Sequence, residues 1–137
     1  MELNEALFSL LHTVRNTIIE QVKQLDSDLS PMHLKSLKVI SKIDDCTGQK
    51  LATFMVRDKA QINRLIKELV NQELVIKSCN ENDGRSQILS LSSRGKKFID
   101  KFNKIEKQVF DTMLKDIEPD EVANFIELAK KFKSNLK

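Results

Sequence analysis

A chain of 137 residues, 40% hydrophobic and 31% charged, is long enough for one folded domain and short for two. Seven Phe with no Trp or Tyr leave the core to Leu, Ile and Val, and exclude an aromatic stacking platform for single-stranded nucleic acid. The net charge is only +3, yet residues 56–97 hold nine Lys and Arg against five Asp and Glu, so the positive excess sits mid-chain.

Cys46 and Cys79 lack metal-site spacing and are too few for a disulfide framework. They read as small thiols in a reducing compartment. No apolar run reaches membrane-spanning length, and the first ten residues lack the basic start and apolar core of a signal peptide. A cytoplasmic protein is expected, with no membrane partner. Three glycines leave no room for a phosphate-cradling loop. No Ser/His/Asp arrangement or metal-ligand set appears, so neither an enzyme nor a cofactor is expected.

The first element is a long amphipathic helix over residues 2–25, carried by Leu3, Leu7, Leu10, Leu11, Val14, Ile18, Val22 and Leu25. Asp26, Ser27 and Asp28 interrupt it. Ser30 as N-cap and Pro31 at the first helical position open a second helix that Leu34, Leu37, Val39, Ile40 and Ile43 carry to about Asp44. Asp45 to Gly48 is a break in which Thr47 is placed to cap the next helix, residues 49–55, with Leu51, Ala52 and Met55 inward. Val56, Arg57 and Asp58 form a turn, and Asp58 caps the helix that follows.

That fourth helix organises the chain. Ile62, Leu65, Ile66 and Leu69 fall on one face, while Lys59, Asn63, Arg64 and Lys67 fall on the other. Lys and Arg suit phosphates and guanine, whereas Asn and Gln suit adenine. Gln61 and Asn63 are therefore candidates for base contacts, and Lys59, Arg64 and Lys67 for phosphates, with Arg57 in the turn beside them. Two short helices joined by a tight turn, the second cationic outward, make a helix-turn-helix.

From Leu74 the period changes to that of strands. Residues 74–79 and 87–91 predict a hairpin whose polar loop carries Arg85 near its tip. Ser92 or Ser93 then caps a long helix with Phe98, Phe102, Ile105, Val109 and Met113 in a near-heptad stripe. Pro119 with Asp120 and Glu121 opens a last helix bearing Val122, Phe125, Ile126, Ala129, Phe132 and Leu136. The fold class is mainly α with a small β-hairpin: a winged helix-turn-helix with long N- and C-terminal dimerisation helices. Those terminal helices carry more apolar surface than the small unit needs, which points to a second copy.

The tract Asp83-Gly84-Arg85-Ser86 through Leu91-Ser92-Ser93-Arg94-Gly95 resembles the wing signature of the multiple antibiotic resistance regulator (MarR) family: Asp, any residue, Arg, then a strand ending in Leu-Thr-x-x-Gly. Residues 51–75 resemble that family's helix-turn-helix, and the helical order is similar over the whole chain. The resemblance implies a homodimer held by the terminal helices, with the fourth helix in the major groove and the wing in the minor groove. It assigns Arg85 to the minor groove, Asp83 to steadying the wing, and Ser86 to the same contact region. Residues 1–137 then form one domain, with a DNA-binding lobe at 31–95 and a dimerisation lobe at 1–28 and 96–137.

The family's small-molecule pocket lies between those lobes, which makes His12, Arg15 and His33 pocket candidates. Glu73 stands where the family usually has Gly, so a different turn is expected there. Gly84 replaces a second wing Arg, and the first helix lacks the Cys of the peroxide-sensing members. The expected function is a dimeric, sequence-specific double-stranded DNA-binding regulator of a pseudo-palindromic operator, a repressor relieved by a small-molecule effector. The alternative is a winged-helix protein-interaction adaptor without DNA binding.

Overall fold

Among the described residues, four of the six helices begin at a side chain that satisfies a free backbone N–H. In the computed structural model, which describes residues 1–25, 29–81 and 84–137, Ser30 accepts from the His33 amide at 3.3 Å and starts α2 (Pro31–Lys42). Thr47 accepts from the Lys50 amide at 3.2 Å and starts α3 (Gly48–Met55). Asp58 accepts from the Gln61 amide at 2.9 Å and starts α4 (Lys59–Asn71). Ser92 accepts from the Gly95 amide at 3.0 Å and starts α5 (Ser93–Met113). The outer helices α1 (Leu3–Lys23) and α6 (Pro119–Asn135) have no side-chain cap and rely on acids in their first turns, Glu5 in one and Asp120 and Glu121 in the other. The interruption read at Asp26, Ser27 and Asp28 lies outside the described residues.

The strands β2 (Val75–Cys79) and β3 (Gln87–Leu91) form the expected antiparallel hairpin, with Val75 opposite Leu91 and Cys79 opposite Gln87. The sheet also has a third strand that the sequence reading treated as a plain break. This is β1 (Cys46–Thr47), which pairs Cys46 with Leu89 and Thr47 with Ile88, giving the order β1-β3-β2. Two residues are too short for any period to show, and the pairing is set by the tertiary fold. The second helix also stops at Lys42 rather than Asp44.

Helices α3 and α4 both end in the same hydrogen-bonded pattern. The Val56 and Arg57 amides donate back to Thr53 and Ala52, at 3.3 and 3.1 Å. The Glu73 and Leu74 amides donate back to Val70 and Leu69, both at 3.0 Å. This ending needs a left-handed residue, normally Gly. Here Val56 (φ 53) and Glu73 (φ 61) fill the role. The expectation of a different turn at Glu73 is thus corrected: the left-handed turn is kept without its glycine.

The main core joins α2, α3, α4 and the sheet, with Leu37, Cys46, Leu51, Ile62 and Leu69 fully buried. Ala52, half-buried, packs against it. A second cluster of Val22, Leu34 and Phe102 sits where α1, α2 and α5 meet. There the Lys38 ammonium pairs with Glu106 and lies 5.2 Å from the Phe102 ring centre. Helix α6 buries none of its residues. No helix among the described residues is long and apolar enough to cross a membrane.

Candidate nucleic-acid interface

Burial of Ile62, Ile66 and Leu69 fixes the roll of α4 about its axis, and with it the direction of every polar side chain it carries. Lys59, Gln61, Asn63, Arg64 and Lys67 are all exposed, as is Arg57 in the turn before the helix. Lys59, Arg64 and Lys67 enter no ion pair among the described residues. Their charges therefore remain turned to solvent, and the outer side of α4 is positive. The Arg57 guanidinium donates to the Met32 sulfur at 3.9 Å.

Where α3 meets the start of α4, an open groove of about 580 Å³ is lined by Gln49, Ala52, Thr53, Val56, Arg57 and Lys59. Gln49 and Thr53 were not picked out by the sequence reading. They lie four residues apart on α3, opposite the buried Leu51 and Met55. Reading the polar face of α3 as closely as that of α4 would have found them.

In the wing, Gly84 and Arg85 are exposed. The Asn80 side-chain amide donates to the Ser86 hydroxyl at 2.9 Å across the neck of the hairpin, so Ser86 helps to close the loop. Asp83 lies outside the described residues.

Each of the three pocket candidates has its own local surroundings among the described residues. His12 is exposed and meets Asn16 on its own helix at 3.0 Å, and Arg15 is exposed beside it. Both ring nitrogens of His33 are engaged, Nδ1 by Ser30 and Nε2 by Glu68. None of the three lines the two clefts of the outer helices. One, about 380 Å³ between α1 and α5, is lined by residues that include Thr13, Thr17, Gln108 and Thr112. The other, about 430 Å³ and almost wholly apolar, lies between Leu3, Leu7 and Leu10 of α1 and Phe125, Leu128 and Phe132 of α6.

Residues 29–87 match the sequence model of the MarR family. No curated protein matches the chain by sequence. Among solved structures, MepR of Staphylococcus aureus, a transcription regulator of the multidrug efflux pump MepA, superposes with a TM-score of 0.81 at 16% identity, covering 100% of both chains. MepR in complex with DNA gives 0.82 at 16% identity over 98% of each chain. Ligand-free MarR from E. coli gives 0.78 at 21% identity, covering 96% of this chain and 97% of that one. At these identities the likeness establishes the fold. Residues 29–87 therefore carry the MarR-family sequence match, and the chain from end to end has the MarR-family winged-helix fold.

Proposed function

We propose that this chain is a sequence-specific double-stranded DNA-binding transcriptional regulator that works as a homodimer, as a repressor relieved by a small-molecule effector. The observation that carries the reading is the outer side of α4, where five polar or cationic residues are exposed together, and the wing exposes Arg85 as well. Gln61 and Asn63 would read base edges. Lys59, Arg64, Lys67 and Arg57 would hold phosphates, and the wing, with Asp83, Arg85 and Ser86, would follow the minor groove. The DNA-bound form of MepR supports this use of the fold.

Assembly through residues 1–28 and 96–137 is supported by apolar surface that a single copy leaves open. Leu3 is 62% exposed, Phe8 67%, Phe125 57% and Ile126 49%. Two copies about a two-fold axis would set two α4 helices on half-sites about one helical turn apart, ~34–36 Å. An effector would act by favouring dimers whose α4 helices have another separation. Helix α6 carries apolar residues that stay exposed, among them Phe125, Ile126 and Leu128, and so supports the dimer independently of the α4 charges.

The test is a gel-shift titration of the purified protein on its selected operator duplex, with Arg64→Ala and Arg85→Ala. Each should lose about 1–3 kcal/mol of binding while remaining dimeric. Unchanged affinity for both variants would contradict the reading.

A further inference from the structure

Among the described residues, one side-chain hydrogen bond ties α4 to another helix, and it involves a histidine of α2. His33 occupies the third position of α2. The Ser30 amide donates to its Nδ1 at 3.1 Å, and the Ser30 hydroxyl lies 2.7 Å from the same nitrogen. With Nδ1 accepting, the proton of the neutral ring sits on Nε2, which donates to the Glu68 carboxylate of α4. The imidazole side chain is 13% exposed and that of Glu68 45%. The cap thus fixes the ring, and the ring fixes the carboxylate.

Glu68 has a second possible partner. It lies four residues after Arg64, and residues so spaced are neighbours on a helix surface, where Arg and Glu pair readily. In this structure they do not pair. Arg64 has no ion pair among the described residues, and the Glu68 carboxylate is turned to α2 instead. Of the cations on the outer side of α4, Arg64 alone is followed by a carboxylate four residues on.

We infer that His33 keeps Arg64 available to DNA by holding Glu68 away from it, which makes His33 a positioning residue for the α4 surface. The inference rests on the DNA-binding reading above. Freed from His33, the Glu68 carboxylate becomes an internal competitor that neutralises Arg64 in place of a phosphate. An exposed pair of this kind shifts an equilibrium by a few-fold, so a loss of about threefold in DNA affinity is expected when His33 lets go.

The test uses the full chain and His33→Gln. Gln at this position still accepts the Ser30 amide in a capping box, so α2 keeps its start, but it cannot also reach Glu68. Affinity for the operator duplex is measured by fluorescence anisotropy, with the melting temperature followed alongside. His33→Gln should bind about threefold more weakly. The loss should vanish in the His33→Gln/Glu68→Ala double variant, and His33→Gln should have no further effect in an Arg64→Ala background. Glu68→Ala alone should bind at least as well as the unaltered chain.

A loss that persists without Glu68 or without Arg64 would mean that His33 acts only through the packing of α2, and would overturn the inference. So would undiminished binding by His33→Gln. If the unaltered chain binds no duplex, the reading of function itself fails and this inference falls with it.

Discussion

The Ser92 hydroxyl donates to the Glu73 carbonyl at 2.6 Å and accepts the Gly95 amide at 3.0 Å. One small side chain thereby caps α5 and pins the turn that leaves α4, and the Ser92 amide adds a bond to the Leu74 carbonyl at 3.0 Å. Ser92→Ala should cost about 1–2 kcal/mol, seen as a lower denaturant midpoint at unchanged slope. Ser92→Thr keeps the hydroxyl and should recover most of the loss. An Ala variant with the parent midpoint would show that the bridge contributes nothing.

Val56 and Glu73 hold left-handed backbone without the glycine that suits it. For Val56 the branched Cβ aggravates the crowding, and at 87% exposure its side chain contributes little in return. Glu73→Gly and Val56→Gly should each stabilise the fold by up to about 1 kcal/mol, because relief of strain outweighs the added freedom of the unfolded chain. Thermal unfolding of the two variants decides it, and a lower melting temperature in both would refute the argument.

Two glycines should respond in opposite directions to the same substitution. A Cβ on Gly95 would stand 2.2 Å from the Leu74 carbonyl oxygen, in a place where backbone cannot retreat. Gly95→Ala should therefore destabilise by about 3 kcal/mol or more. A Cβ on Gly48 would meet the Ile66 Cδ1 at 3.5 Å and the Asn63 Oδ1 at 3.8 Å, which is ordinary contact. Gly48→Ala should gain about 0.4–1 kcal/mol through the unfolded state. Parallel urea titrations will separate the two.

The two thiols should differ in reactivity. Burial pushes the Cys46 thiol up from its usual range, with Lys50 opposing only in part, whereas Cys79 is exposed on β2. Because the thiolate is the nucleophile, a disulfide reagent at mildly alkaline pH should label Cys79 quickly and Cys46 only on unfolding. The folded state retains the Cys46 proton longer than the unfolded chain does. Its contribution to stability is therefore full below about pH 8.5 and declines as the pH rises beyond that value. Two equally fast thiols in the native protein would contradict this placement of Cys46.

Helices α2 to α5 were legible because each announces itself twice, in a capping residue and in an apolar period. Ser30, Thr47 and Asp58 cap the helices they were expected to cap, and of the two serines offered for α5 it is Ser92 that does so. The outward set of α4 followed from the same period, since burying Ile62 and Ile66 leaves Arg64 no other direction. The rest was hidden for physical reasons. A two-residue strand such as β1 has no period, and its pairing with β3 depends on where α2 delivers the chain. The engagement of His33 by Ser30 and Glu68 depends on two helices meeting, and no spacing encodes it. Glu73 misleads in the other direction: the local preference of its residue type points away from a turn that tertiary packing imposes.

The most direct test of the central claim, that the outer side of α4 and the wing hold duplex DNA, is the salt dependence of operator binding. If Arg57, Lys59, Arg64, Lys67 and Arg85 of even one copy neutralise phosphates, log K against log salt should fall with a slope of about −4.5 or steeper. A slope near zero, or affinity for duplex DNA that salt does not alter, would contradict the account.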